Sequence, residues 1–111
     1  MRPSMLLLLA LCVNILGGCS MTVPFQGTAE DGSETFTGTT TGYADGSGVV
    51  NIVSNKGLVC TGKFVYVTER TGSGTFTCRD GTSGTANFVS AGRHGTGSGR
   101  LGNRRFTFTF G

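Results

Sequence analysis

From Thr35 to the C-terminus, apolar or very small residues stand at every second position of one strand-length segment after another. No segment of useful length repeats apolar residues at helical spacing. Successive side chains of a strand point to opposite faces, so this period of two commits the chain to β-structure with one buried face. The face can be named. Phe36, then Leu58, Cys60, Gly62, Phe64 and Tyr66, then Gly74, Phe76 and Cys78, then Ala86 and Phe88, then Phe106, Phe108 and Phe110 share parity within their segments. Thr, Lys, Asn and Arg fill most of the positions between them. The predicted fold is all-β, a small antiparallel meander of repeated hairpins spanning residues 35–111.

Two turns can be placed by register. If the segments around Lys63–Val67 and Ser73–Thr77 form a hairpin about Glu69, then Cys60 stands opposite Cys78, and Gly62 stands opposite Phe76 and leaves room for its ring. Arg79-Asp80-Gly81 is then a three-residue loop with Gly81 in the left-handed region. An odd loop keeps Phe76, Gly84, Ala86 and Phe88 on one face, whereas a two-residue loop at Asp80-Gly81 would turn Ala86 and Phe88 outward.

The N-terminus speaks to compartment. Arg2 is a positive n-region, Met5 to Leu16 an apolar h-region, and small residues follow, which together make a secretory signal. The apolar run is too short to cross a bilayer core of roughly 30 Å as a helix. Leu16-Gly17-Gly18-Cys19 resembles the lipobox of bacterial lipoproteins at every position. The resemblance implies that residues 1–18 are a helical signal peptide that is removed, and that Cys19 carries a thioether-linked diacylglycerol and an amide-linked acyl chain such as palmitate. Several chains on one residue make a stable anchor. Ser20 is not the Asp that holds enteric lipoproteins in the inner membrane, so the outer membrane is the expected location, facing the periplasm or the cell surface. Residues 19–34, polar and acidic, are expected to be a lipid-anchored flexible tether.

Under that reading Cys12 is discarded and Cys19 goes to lipid, leaving Cys60 and Cys78 as a disulfide in an oxidising compartment. A metal site or a catalytic thiol would need more partners than these two and the single His94 supply. A domain of 93 residues buries little core, and closing this loop contributes about 3 kcal/mol in the chain-entropy view.

Glycines recur as well. Gly46-Ser47-Gly48, Gly72-Ser73-Gly74 and Gly95-Thr96-Gly97 each lead into a strand, a turn and a second strand. Between Gly46 and Phe108 the pattern resembles MORN repeats, Gly-rich β-hairpins stacked into an elongated sheet, although Cys60 and Gly84 occupy positions where that family has Tyr, and Ala86 stands in place of a Gly. The resemblance implies an open repeat sheet. A small roll or barrel is the alternative.

The mature segment has eight basic and six acidic residues, unevenly spread. Met21 to Asp45 holds four acids and no base, and Gly92 to Gly111 holds Arg93, Arg100, Arg104 and Arg105 with no acid. Those four Arg are the candidate contact for an anionic partner: anionic lipid, peptidoglycan or an envelope protein, but not nucleic acid. No nucleophile has a base, no carboxylates form a metal loop, and the Gly-x-Gly units are not followed by the helix that a phosphate loop requires. The expected function is therefore that of a non-enzymatic envelope lipoprotein, without cofactor or metal, with a structural or binding role. The alternative is a lipoprotein inhibitor of lysozyme or another envelope hydrolase, although the chain lacks the Ser-Gly-x-x-Tyr segment with which such inhibitors block the enzyme's cleft.

Overall fold

The computed structural model describes residues 19–111. The signal segment and the first three lipobox residues lie outside this range. Eight strands follow one another: β1 (Ser20–Ala29), β2 (Thr35–Tyr43), β3 (Ser47–Ser54), β4 (Val59–Tyr66), β5 (Thr71–Cys78), β6 (Ser83–Ala91), β7 (His94–Leu101) and β8 (Arg104–Phe110). Each pairs antiparallel with the next, and β8 pairs back onto β1, so the sheet is a closed up-and-down barrel. Closure removes both sheet edges. The open repeat sheet implied by the MORN resemblance does not form, because the last strand finds its partner in the first.

The expected tether is largely strand. β1 occupies Ser20–Ala29 and is paired on both sides, with β2 and with β8. Met21, Val23, Phe25, Gly27 and Ala29 alternate with polar residues, and Phe25 and Ala29 are buried. Pro24, which has no N–H for a ladder, falls where β8 ends, and its carbonyl accepts from Gly111 N at 3.0 Å. Only Glu30–Glu34 remain as a connection, a hairpin loop.

The inferred registers hold. Cys60 pairs with Cys78 and Gly62 with Phe76 in β4–β5, and Phe76 pairs with Gly84 in β5–β6. The intervening loop is Arg79-Asp80-Gly81, closed by Cys78 N donating to Thr82 O at 2.8 Å, with Gly81 at φ 90°. The named face lines the barrel interior, where Phe36, Cys60, Phe76, Cys78, Ala86, Phe88, Phe106 and Phe108 are all buried. Cys60 and Cys78 are joined by a disulfide.

Three loops share a turn chemistry. In Asp31-Gly32-Ser33, Asp45-Gly46-Ser47 and Asp80-Gly81-Thr82, the Asp carboxylate accepts the backbone N–H two residues on, at 2.9, 3.0 and 2.9 Å. The Ser33 and Ser47 hydroxyls donate to the same oxygens. Hydrogen bonds from Ser33, Ser47 and Thr82 hold these three carboxyls below their ordinary pKa.

Candidate ligand cavity

The up-and-down path puts the β2–β3, β4–β5 and β6–β7 turns at one end of the barrel, together with the start of β1 and the end of β8. The other four turns lie at the opposite end. The interior differs between the two halves. Towards the four-turn end lie Phe25, Phe36, Ile52, Phe76, Leu101, Phe106 and the disulfide, all part of a buried cluster that continues through Val50, Ala86, Phe88 and Phe108. The Phe76 and Phe106 rings meet edge to face with centroids 5.8 Å apart, and Phe25 stacks on Phe108 at 5.0 Å. An ion pair closes this end. Arg104 Nη2 donates to Glu34 Oε1 at 2.6 Å, with the Glu34 side chain almost wholly buried and that of Arg104 39% exposed. The Ser54 hydroxyl and then Arg104 hold the Glu34 carboxyl below its ordinary pKa, against the opposing effect of burial.

The other half is hollow. A cavity of about 320 Å³ opens between the three turns, with Val50, Phe76 and Ala86 towards its floor and Phe64, Tyr66, Phe88 and Phe110 around its sides. That volume is at the small end of the range of roughly 300–1,000 Å³ for ligand sites. Four Phe rings are laid over glycines of neighbouring strands and so lie against the wall. A Cβ added at Gly48 would collide with the Phe64 ring, one at Gly72 with Phe88, one at Gly97 with Phe108 and one at Gly95 with Phe110. Ring covering glycine is a device for holding curved sheet in register. β7 presents only Gly95, Gly97 and Gly99 to this part of the interior, so one wall of the hollow half carries no inward side chain at all.

Most of the wall is apolar, and two of its hydroxyls differ in status. Tyr66 donates its phenolic O–H to Ser90 Oγ at 3.0 Å. Thr40 also lines the cavity, 8% exposed, and among the described residues its Oγ1 is the one buried side-chain polar atom with no hydrogen-bond partner. Rotation about χ1 would exchange that oxygen with the methyl group of similar size.

The four candidate Arg are not one cluster. Arg100, Arg104 and Arg105 come together at the closed end with Asn103, and they share that surface with Glu30 and Asp31. Arg100 and Arg105 are directly opposed across β7–β8, while Arg104 turns inward to Glu34. Arg93 lies in the β6–β7 turn at the mouth of the cavity, at the other end of the barrel. Cys19, just before β1, is exposed at the same mouth. The cavity escaped the sequence reading, because parity shows which residues point inward but not whether they meet.

No family model matches the sequence, and no curated protein does. Solved structures match in fold. A redesigned β-barrel, mFAP1, bound to DFHBI, superposes with a TM-score of 0.63 over 89% of this chain and 96% of its own, at 18% identity. A de novo designed fluorescence-activating β-barrel gives 0.63 over 80% of this chain and 88% of its own, at 14% identity. At these identities the likeness is one of fold.

Proposed function

We propose that this chain is a non-enzymatic lipoprotein of the bacterial outer membrane whose barrel binds a small, mainly apolar ligand through its open end. The cavity carries the reading. A barrel of this size has enough aromatic side chains to fill its interior, as it does at the closed end, yet at the mouth the rings rest on glycines around an unfilled, apolar volume. Thr40 supplies a buried, unpartnered polar group that a ligand hydroxyl or carbonyl would satisfy, fixing orientation in a mainly apolar site. The similarity to a designed barrel bound to a small dye agrees with an eight-stranded barrel of this kind accepting such a molecule.

The anchor part of the proposal rests on the lipobox. β1 begins at Ser20, immediately after Cys19, so an anchor there would hold the barrel against the bilayer with no slack. The mass of the mature N-terminal peptide distinguishes a lipidated Cys19 from an unmodified one, and Cys19→Ala should abolish acyl labelling.

The binding test uses the unlipidated domain and a fluorescent apolar probe such as anilinonaphthalene sulfonate. Wild type should bind with saturable, one-to-one enhancement. Ala86→Leu, which places three more carbons towards the cavity floor, should weaken the probe at least tenfold while far-UV dichroism is unchanged. Equal binding by the two proteins would move the ligand out of the barrel.

A further inference from the structure

The two ends of the barrel differ in surface as well as in interior. At the closed end the loops are Glu30–Glu34, Asn55–Leu58, Arg79–Thr82 and Gly102-Asn103, and the one large apolar residue among them, Leu58, packs against the core. Towards the open end stand Met21, Tyr43, Val65, Val67 and Val89, each between 43% and 70% exposed. Among the described residues the remaining large hydrophobic with such exposure, Val53, lies towards the closed end.

We infer that the open rim docks on a lipid bilayer, with these side chains in the headgroup region and the cavity mouth turned to the acyl chains. The place where the chain meets the barrel argues for lipid over a protein partner. The apolar run Met5 to Leu16 leads through Cys19 into the start of β1, which is on this rim. If the run is removed and Cys19 carries lipid, the acyl chains join the barrel here. If the run stays, the most apolar stretch of the sequence joins it here. Either way the membrane attachment and the apolar rim coincide.

The dimensions agree. Val65 and Val89 lie two residues further from the mouth than Val67 and Ala91, about 7 Å along the strands, and interfacial elements sink by about 5–10 Å. Tyr43 has the amphipathic ring favoured at that depth. Arg70 and Arg93 in the rim turns meet anionic headgroups. Of the two acids at this end, Asp45 is occupied by Ser47, and Glu69 stands at the tip of the β4–β5 turn beside Arg70. The consequence deepens the ligand reading and rests on it: a ligand entering a mouth held against acyl chains comes from the lipid phase.

The chain has no Trp, so one introduced Trp reports its own surroundings. Val67→Trp marks the rim and Val53→Trp the closed end, in residues 19–111 with Cys19→Ser, a segment that holds all eight strands of the closed barrel. Each is titrated with vesicles of phosphatidylethanolamine and phosphatidylglycerol bearing brominated acyl chains. Emission from Val67→Trp should shift to the blue and be quenched, and that from Val53→Trp should do neither. Adding Val65→Ser and Val89→Ser should weaken partitioning by roughly tenfold. Equal quenching at the two ends, or none at the rim for both Val67→Trp and a second rim reporter at Val89, overturns the docking. Probe binding in vesicle-free buffer is scored separately: probe binding without rim quenching removes the docking alone, and rim quenching without probe binding removes the ligand site alone.

Discussion

Gly62→Ala tests the packing rule on which the barrel interior depends. A Cβ at Gly62 would stand 3.0 Å from Cδ2 and Cε2 of Phe76 and 2.9 Å from the Thr75 carbonyl oxygen, where ordinary contacts are about 3.5–4.0 Å. The ring cannot retreat easily. It is 5% exposed, and its centroid is 5.8 Å from that of Phe106 and 6.5 Å from that of Phe25. Overpacking of this kind costs about 1–3 kcal/mol. Against it, Ala in a strand regains about 0.5–1 kcal/mol relative to Gly by restricting the unfolded chain. The net expectation is a loss of about 0.5–2 kcal/mol, read as a lower urea midpoint at unchanged slope with the disulfide oxidised. In a Phe76→Leu background the ring is gone and only the Thr75 carbonyl contact remains, so Gly62→Ala should cost clearly less than it does beside the ring. The coupling from the double-mutant cycle is therefore about 1–2 kcal/mol. Independent sites add to within about 0.5 kcal/mol, so additivity at that level would refute the idea that Gly62 is small because Phe76 lies over it.

Four further outcomes are expected. Replacing Cys60 and Cys78 together by Ala opens a link between residues 18 apart in sequence, and should cost about 3 kcal/mol, seen as a fall of roughly 10–20 °C in Tm by calorimetry. Arg104→Met leaves the Glu34 carboxylate buried without its cation and should cost about 1–3 kcal/mol in urea at neutral pH, the partial exposure of Arg104 keeping the figure modest. Thr40→Val removes the unpartnered hydroxyl and should raise the stability of the ligand-free barrel by about 1 kcal/mol in the same assay, while weakening any probe that bonds to that oxygen. Glu34, Asp31, Asp45 and Asp80 all have lowered pKa values in the fold, so their stabilisation is complete above the ordinary carboxylate range of about 4 and is lost as pH falls through the depressed values. Urea midpoints should be flat near neutrality and drop below about pH 4, and the penalty of Arg104→Met should shrink over the same window.

Most of the wall was legible where aromatic residues mark parity. Phe36, the Phe64 to Tyr66 segment, Phe76, Phe88 and the three Phe of β8 pointed to the correct face, and the Cys pair and Gly62 fixed a register that a one-residue slip would have destroyed. β1 escaped because Pro24 interrupts it and the acids of the following loop give the whole stretch a polar character, although Val23, Phe25 and Ala29 do alternate. β3 carries valines on both faces, Val49 and Val53 outside and Val50 inside, so parity alone is mute there. Closure is non-local: the pairing of Gly27 with Phe108 joins segments about as far apart as the domain allows, and no local signal specifies it. The Arg cluster misled because nearness in sequence is not nearness in a meander. Arg93 and Arg100 sit at opposite ends of a single strand length, and Arg104 faces inward.

Why the barrel is hollow at one end only follows from where its glycines and its crosslinks lie. A small domain has little apolar area to spare, and a cavity costs stability in proportion to its size. Here the compensation is placed away from the void: the disulfide, the Phe76 and Phe106 pair and the Glu34–Arg104 ion pair all lie in the filled half. In the hollow half Gly48, Gly72, Gly95 and Gly97 let Phe64, Phe88, Phe110 and Phe108 lie against the wall, with Phe88 centred 5.5 Å from Phe64, 5.1 Å from Tyr66 and 5.7 Å from Phe110. Replacing those glycines with larger residues would push the rings inward and close the space that the rest of the barrel is stable enough to leave open. Four of the recurring glycines that resembled MORN units in the sequence, Gly48, Gly72, Gly95 and Gly97, are in the strands the residues that keep the mouth open.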